Sequence, residues 1–413
     1  MPGMGHTSAS GSEAEPTGGL DDLIYGLARR TNDAWRRHGY DEGVFGRIAS
    51  EALAESELVG ALTWESLQEH ILSPSSPEPM QSEHPAPEVI ALYNGRHFKI
   101  YAHAWLDKIA EPHHHSWTGA FQILEGRSLN GYYRFTTTDR VREGLTIGQL
   151  ERDRCLLHRA GTIVAINPGP QFIHGLQYLD RPGLAISIRG GRLIGNTCTY
   201  YRPGVAVRTD LKDPAITGML RVLQILYHTD REAFERRLLE AIPRCDLMAV
   251  HLIVFEAIRS GWTLPAAIFA RASEVFGTRF SAIEGAAAEL STLGKIVQLR
   301  SRFTDPDLRF FLAALSFGDD RQSVVELVRD HAPSRDPRDL VGQWLASLLI
   351  DAGEDAIPEA MTRGLGALAL GATVEDLRTG LVDEQLSVVE SVHAAMADAA
   401  IYRPLFRGDA IVL

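Results

Sequence analysis

Four histidines have the residue type and spacing best suited to chemistry in this chain: His113, His114, His115 and, later, His174. Successive side chains of a β-strand point to opposite faces, so His113 and His115 share one face while His114 points away. An imidazole from a neighbouring strand, supplied by His174, completes a set of three nitrogen ligands. Such a set suits iron, copper, nickel or zinc. The spacing therefore predicts a transition-metal site at His113, His115 and His174.

The segments around these histidines favour the metal interpretation. A histidine triplet by itself also occurs as a solvated turn. Here the triplet is followed by a glycine turn at Leu124-Glu125-Gly126, and His174 comes after its own turn at Pro168-Gly169-Pro170. Each histidine segment is therefore expected to be a strand or to adjoin one, as a site built between strands requires.

The composition is typical of a globular chain in a reducing compartment. The 413 residues, 45% of them hydrophobic, are enough for about two or three domains. A formal net charge of −12 argues against nucleic acid or an anionic membrane as the main partner. Cys155, Cys198 and Cys245 are widely spaced and include no Cys-x-x-Cys pair, so we expect no disulfide framework.

The first residues predict neither a signal peptide nor a membrane anchor. Residues 1–19 are rich in Gly, Ser, Glu and Pro, and they lack both a basic start and an apolar run. We expect a disordered tail there. No apolar stretch of the sequence reaches the length of a transmembrane helix. The expected location is cytoplasmic.

Three zones follow the tail. Residues 20–87 combine helical apolar spacing with a linker rich in Pro and Ser, and residues 206–413 are rich in Ala, Leu, Arg and Glu with helical spacing throughout. Residues 88–205 have short apolar segments separated by Gly and Pro, which predict a metal-binding β-domain with the architecture of a sandwich or barrel. The predicted strands are residues 98–105, 121–124, 131–137, 161–166, 172–179, 184–189 and 197–201.

The helical zone contains a faint internal repeat. Asp213-Pro214 and Asp230-Arg231 recur in the same order as Asp305-Pro306 and Asp320-Arg321. Asp-Pro is a common start for a helix, so the recurrence indicates either a duplicated helical unit or two similar helix starts that arose by chance. The sequence leaves both interpretations open.

The strand zone resembles the cupin family. The first cupin motif joins His-x-His to a glutamate and then a glycine; His113, His115 and Gly126 match it, with Gly119 at the place of the glutamate. The second motif, a Pro-x-Gly turn followed by a histidine, is similar to the turn before His174. With the flanking zones, the resemblance implies an α+β chain: a cupin-like jelly-roll β-barrel with N-terminal helices and an all-α C-terminal domain.

Within the cupins, three histidines without the glutamate are similar to the thiol dioxygenases, the cysteine dioxygenase type. The strand that ends in Trp105 and the serine at Ser187 also look like that type. The resemblance implies Fe(II), O2 as co-substrate and dioxygenase activity, with another divalent transition metal as the alternative. However, Arg189 and Gly191 stand where that type has the histidine and tyrosine of a Ser-x-His-x-Tyr constellation, and no arginine lies near Glu88, where that type binds the substrate carboxylate. Cysteine is therefore not the expected substrate.

Two residues are predicted to act on the substrate. Arg189 shares strand parity with Ser187, and an arginine that faces into the barrel needs an anion, for which a substrate carboxylate is a candidate. The alternative is a surface arginine paired with an acidic residue. Tyr133 is predicted to line the pocket, although aromatic residues on strands are more often plain core.

Gly119 and Gln122 follow the histidine triplet. Gly119 either leaves room beside the metal, so that Gly119→Glu restores a four-ligand set, or simply begins a strand. Gln122 is the weaker candidate for a fourth ligand because its strand parity is opposite to that of Gly119.

The function best supported at this point is a non-haem Fe(II)-dependent oxygenase acting on a small polar molecule that carries a carboxylate. The expected partners are that substrate and O2, with no nucleic acid and no membrane, and the helical zone is a candidate homodimer surface or lid. The alternative is a non-enzymatic cupin-like binding or regulatory protein whose helical zone binds a partner.

Overall fold

A computed structural model describes residues 19–72, 89–106, 109–211, 213–351 and 357–406 of the chain. The tail predicted at residues 1–19, apart from Gly19, and the linker predicted before residue 88 lie outside the described residues. No helix in the described part of the chain is long and apolar enough to cross a membrane.

Helices precede the strand region, as predicted. They are α1 (Leu20–Arg37), α2 (Glu42–Ala54) and α3 (Trp64–Leu72). Helix α1 buries Ile24, Leu27 and Trp35, which recur at helical spacing on one face. Helix α2 begins after Asp41, whose side chain accepts a hydrogen bond from the Gly43 backbone N–H at 2.9 Å and so satisfies a free donor of the first turn.

Strands fill the middle of the chain. They are β1 (Val89–Asn94), β2 (Phe98–Trp105), β3 (Ile109–His114), β4 (Gly119–Glu125), β5 (Arg127–Arg142), β6 (Leu145–Arg159), β7 (Ile163–Ile166), β8 (Ile173–Tyr178), β9 (Gly183–Gly190), β10 (Cys198–Tyr201) and β11 (Val205–Arg208). One sheet has the order β1-β2-β9-β4-β7, and the remaining strands form a closed barrel in the order β10-β11-β6-β5-β8-β3. The barrel closes because β10 pairs with both β11 and β3.

The predicted strands are all present, but β1, β3, β6 and β11 were not among them. The middle of β6, Glu151 to Arg154, is a run of charges and not an alternation, because much of this strand is exposed. Strand β11 is only 4 residues long. The boundary predicted between residues 205 and 206 falls within β11, which pairs with β6 and belongs to the barrel.

Helices follow the barrel to the end of the described chain. They are α4 (Pro214–Thr229), α5 (Arg231–Ala241), α6 (Leu247–Arg259), α7 (Ala266–Phe276), α8 (Thr278–Arg302), α9 (Pro306–Phe317), α10 (Arg321–His331), α11 (Pro337–Asp351), α12 (Glu359–Ala369), α13 (Val374–Leu377) and α14 (Asp383–Asp398), with short 3-10 helices at Ile242–Arg244 and Ala400–Phe406. The predicted fold class is confirmed: an α+β chain with a β-barrel, N-terminal helices and a helical C-terminal region.

The internal repeat coincides with equivalent helix starts. Asp213 and Asp305 accept backbone N–H bonds at the starts of α4 and α9, while Asp230 and Asp320 do the same for α5 and α10. The two segments therefore begin with the same order of capped helices. A duplicated unit stays a prediction.

The two helical regions cover different faces of the β-structure. Phe45 and Ile48 of α2 pack in one apolar core with Ile100 and Ile186 of the five-stranded sheet. One apolar core of the C-terminal region is centred on α9 and includes barrel residues such as Leu129. Each sheet thus has a helix-covered face, and the remaining faces enclose the interior of the β-structure.

Two buried arginines of the helical region hold the end of β8. Arg300, which is fully buried, donates from Nε to the Arg309 carbonyl and from a terminal nitrogen to the Tyr178 carbonyl, both at 2.9 Å. Arg309 donates from Nε to the Leu179 carbonyl at 3.1 Å. Burial, together with the neighbouring charge of Arg309, lowers the pKa of Arg300 to about 9, so Arg300 stays charged at neutral pH. These bonds satisfy carbonyls that the β-ladder leaves free at the strand end.

Replacing Arg300 with methionine should lower the free energy of unfolding by about 2–4 kcal/mol, because buried carbonyls lose charged donors. The matched control is Arg302→Met, since Arg302 is exposed and pairs with Asp351 at the surface, where a change of less than about 1 kcal/mol is expected. Urea denaturation of both variants measures the difference. Equal stabilities of the two variants would show that the hydrogen bonds of Arg300 do not stabilise the protein.

Candidate metal centre

The three predicted ligands meet at one point between the sheets. One nitrogen from each of His113, His115 and His174 lies within 4.8 Å of the others, and no other group of this kind occurs among the described residues. His113 of β3 is directly opposite His174 of β8 in the antiparallel ladder, which places both side chains on one face. His114 faces the other way, where Nδ1 bonds to the Tyr200 hydroxyl at 2.8 Å. The predicted alternation of the triplet is therefore what the structure shows.

Hydrogen bonding and burial prepare these imidazoles to act as ligands. The Nδ1–H of His113 donates to the Glu111 carbonyl at 2.8 Å, which leaves the Nε2 lone pair free. Burial lowers the pKa of His113 and holds the pKa of His115 and of His174 well below the ordinary value. All three rings are therefore neutral at neutral pH, which is the protonation state that binds a metal ion.

One pair of these nitrogens has the separation of two metal ligands. The Nε2 atoms of His115 and His174 are 3.0 Å apart. Two ligands at right angles around a metal, each at about 2.1 Å, are separated by about 3.0 Å. The nitrogen donors, their neutral state and the separation of this pair suit a divalent transition metal, which these three residues would hold.

The histidine cluster lines a cavity of about 410 Å³ between the five-stranded sheet and the barrel. Its walls are mainly apolar and aromatic. Its lining includes Trp105, Trp117, Phe121, Ile166, Leu176, Tyr178 and Ala185. A cavity of this size holds a small organic molecule beside the histidines.

Arg189 stands in the wall of the same cavity. Its guanidinium lies 4.7 Å from the ring centre of Trp117 and 4.9 Å from that of Tyr101. Its Nε donates to the Ser187 hydroxyl at 3.2 Å, and a terminal nitrogen lies 3.3 Å from Nε2 of His103. Of the two orientations that the sequence left open for Arg189, the structure shows the one in which Arg189 and Ser187 face the cavity.

Among the described residues, no carboxylate lies within ion-pair distance of Arg189. The acidic residue that lines the cavity, Asp210, pairs with Arg208 at 2.7 Å. Burial lowers the pKa of Arg189 to about 10, so Arg189 is charged at neutral pH while its environment disfavours the charge. An anion placed against this guanidinium would replace part of the lost solvation.

The structure does not bring Tyr133 to the metal cluster. Tyr133 is paired with Ile173 in the ladder between β5 and β8, on the face opposite to that of His174. It packs with Leu150 and Tyr200 in a separate apolar cluster. The expectation that Tyr133 lines the substrate pocket is therefore wrong, because a single step along a strand reverses the face.

Gly119 serves backbone packing and does not provide space beside the metal. A Cβ on Gly119 would lie 2.0 Å from the Ile188 carbonyl oxygen. A side chain there would collide with the backbone of β9, so Gly119→Glu is no longer expected to add a ligand. Gln122 lies on the face covered by the N-terminal helices, with Ala120 and Leu124, and stays outside the cavity lining.

One cavity residue, His103, is not indicated by the sequence motifs. His103 was an unassigned histidine, yet its Nε2 lies 2.8 Å from the Ser187 hydroxyl and it lines the cavity. Strand parity is the signal that could have found His103. Tyr101, His103 and Trp105 are spaced two residues apart along β2 and therefore share one face. Strand β2 pairs with β9, and this pairing brings the shared face of β2 into contact with Arg189. The two strands are distant in sequence.

No protein-family model matches the chain, and no curated protein is similar enough in sequence to be a relative. Among solved structures, hydroquinone 1,2-dioxygenase from Sphingomonas sp. TTNP3 is 7% identical, with 27% of this chain and 70% of that chain covered and a TM-score of 0.21. A protein with a double-stranded β-helix domain from Klebsiella pneumoniae is 13% identical over 31% of this chain and 90% of its own, with a TM-score of 0.19. An oxalate oxidase is 16% identical over 34% of this chain and 68% of its own, also at 0.19. Similarities this weak do not bear on activity, and the fold follows from the strand pairings.

Replacing His174 with alanine should abolish metal binding, because two imidazoles alone form an incomplete set. His251→Leu is the control: His251 is also buried, but it packs against Phe255 in the helical region. Elemental analysis of protein purified without chelators should give about one metal ion per chain for the native protein and for the control. Full metal content in the His174 variant would exclude this site.

Replacing Gly119 with alanine should lower the free energy of unfolding by about 1–3 kcal/mol, because the added methyl group overlaps the Ile188 carbonyl. Gly294→Ala is the control: Gly294 lies in α8, where a Cβ meets nothing within 4 Å, and alanine should stabilise the helix by up to about 1 kcal/mol. Thermal melts compare the two variants. A native melting temperature for the Gly119 variant would show that β4 and β9 tolerate a side chain here.

Proposed function

We propose that the chain is a metal-dependent oxygenase. His113, His115 and His174 hold Fe(II) or another divalent transition metal, Arg189 binds the carboxylate of an organic substrate, and O2 is the co-substrate. The observation that supports this proposal is the presence of both groups in one cavity: neutral nitrogen ligands, and a guanidinium with no carboxylate partner among the described residues. The motif resemblance to three-histidine thiol dioxygenases agrees with it.

When bound, a redox-active metal such as Fe(II) would supply electrons to O2 and a positive charge beside the substrate. The chain's own residues do the positioning. Arg189 is fixed by its donation to Ser187 and by the rings of Tyr101 and Trp117, so the carboxylate it holds has one orientation. The apolar walls exclude water from the space beside the histidines.

His103 completes the hydrogen bonding of this wall. Its Nε2 lies 2.8 Å from the Ser187 hydroxyl and 3.3 Å from a terminal nitrogen of Arg189. Arginine can only donate, so Nε2 of His103 is the acceptor and carries no proton. The Ser187 hydroxyl can then donate to His103 while it accepts from Nε of Arg189.

Replacing Arg189 with leucine should raise the apparent KM for the carboxylate substrate by about 10- to 100-fold while metal content stays unchanged, because a charge-assisted contact is lost away from the ligands. Arg189→Lys should recover part of the loss, since the charge returns without the planar fork. The assay is oxygen uptake by the reduced, iron-loaded protein in a screen of small carboxylates.

The matched control is Arg231→Leu. Arg231 also lies over a tyrosine ring, that of Tyr227 at 3.8 Å, but in the helical region. Its KM should equal that of the native protein. If no compound in the screen causes oxygen uptake although iron is bound and reduced, the oxygenase proposal fails and a non-catalytic binding protein is the remaining explanation.

A further inference from the structure

The cavity has a polar end and an apolar end. Along β9, Arg189, Ser187 and Ala185 point in turn into the cavity, so the wall changes from charged to polar to apolar. At the apolar end, Trp105 stacks on Tyr178 with ring centres 5.6 Å apart and an angle of 12°. The histidine cluster lines the same cavity from strands of the barrel.

The apolar end is a continuous surface. Leu176, Tyr178 and Ala185 form one buried cluster, and Trp105 packs against it. Strand geometry places Arg189 and Ala185 about 13 Å apart, since four steps of about 3.3 Å separate them. A ligand that contacts both ends therefore needs an apolar body as well as an anionic group. The polar groups among these side chains are the Tyr178 hydroxyl and the Trp105 indole N–H, so most of a ligand's surface at this end meets carbon.

Among the described residues, the cavity wall has no carboxylate that is free of an ion pair and could balance a cation. Its charged and polar lining consists of histidines, Arg189, Ser187, threonines and Asp210, and Asp210 is already paired with Arg208 at 2.7 Å. An ammonium group would lie near the positive charge of Arg189 and near a metal ion, with no free carboxylate among the described residues to balance it. This arrangement disfavours zwitterions such as amino acids.

We propose that the substrate is a carboxylate on a flat apolar body, an aryl or arylalkyl carboxylate without an ammonium group. The carboxylate lies against Arg189 and the ring lies against Trp105 and Tyr178, so the carbons between them pass the histidine cluster. This inference rests on the proposed function for the use of the site, and it replaces the small polar substrate expected from the sequence.

A matched set of ligands tests each part of the inference by calorimetry. The probe is 3-phenylpropanoate. Phenylalanine adds only the ammonium group, 3-phenylpropan-1-ol lacks the charge, and propanoate lacks the ring. The full chain is loaded with Zn(II), which binds histidine nitrogen but has no redox chemistry, so that binding is measured without turnover. We expect 3-phenylpropanoate to bind at least about tenfold more tightly than each of the other three.

Two variants locate the ligand. Arg189→Leu should remove the preference for 3-phenylpropanoate over the alcohol, and Trp105→Ala should remove the preference for 3-phenylpropanoate over propanoate, because each variant deletes one end of the site. Arg231→Leu, in the helical region, should bind all four ligands like the native protein.

The outcomes separate the substrate class from the reaction. Equal affinity for phenylalanine, equal affinity for propanoate, or no binding of 3-phenylpropanoate overturns the substrate class. If 3-phenylpropanoate binds selectively but the iron-loaded protein takes up no oxygen with any arylcarboxylate, the substrate class stands and the oxygenase proposal fails. Oxygen uptake that occurs only with amino acids supports the reaction and overturns the substrate class.

Discussion

The direct pairing of His113 with His174 across β3 and β8 is the constraint on which the candidate site depends. Residues opposite each other in an antiparallel ladder have Cβ atoms about 5 Å apart on the same face, so the backbone alone brings these imidazoles together. His115 joins them from just beyond the end of β3. A shift of β8 by one residue would replace His174 with Ile173 or Gly175 and would remove a ligand.

The helical region helps to fix the position of β8. The Ser316 hydroxyl lies 3.2 Å from Oε1 of Gln177, while Arg300 and Arg309 donate to the carbonyls of Tyr178 and Leu179. These contacts come from residues more than a hundred positions later in the chain. The C-terminal helices are therefore part of the support of the histidine cluster, because they hold the strand that carries one of its members.

Arg189 shows how a site can be prepared for a ligand at a cost in stability. Its burial lowers the pKa to about 10, and the contacts with Ser187, Tyr101 and Trp117 replace only part of the lost hydration. Since the charge persists at neutral pH, an anion placed against the guanidinium would offset part of this cost. An incompletely compensated loss of hydration of this kind is expected where function has been favoured over stability.

The alternation of the histidine triplet could be predicted from the sequence because strand parity is a local property. Residues two apart share a face, so His113 and His115 separate from His114, and Ser187 aligns with Arg189, whatever the rest of the fold. The three zones and the helix starts at Asp213 and Asp305 were visible for the same reason. Apolar periodicity and helix capping need only a few consecutive residues.

Which strands are neighbours was decided by the tertiary structure. From the sequence, Tyr133 was expected in the pocket, and Gly119 was expected either to leave room beside the metal or to begin a strand. The ladder turns Tyr133 to the other face, and the Ile188 carbonyl lies where a side chain on Gly119 would be. It also brings His103 to Ser187, which is 84 residues away in the chain. Parity decides which face a side chain takes along its own strand, whereas contacts between distant strands depend on register and packing, which no local pattern encodes.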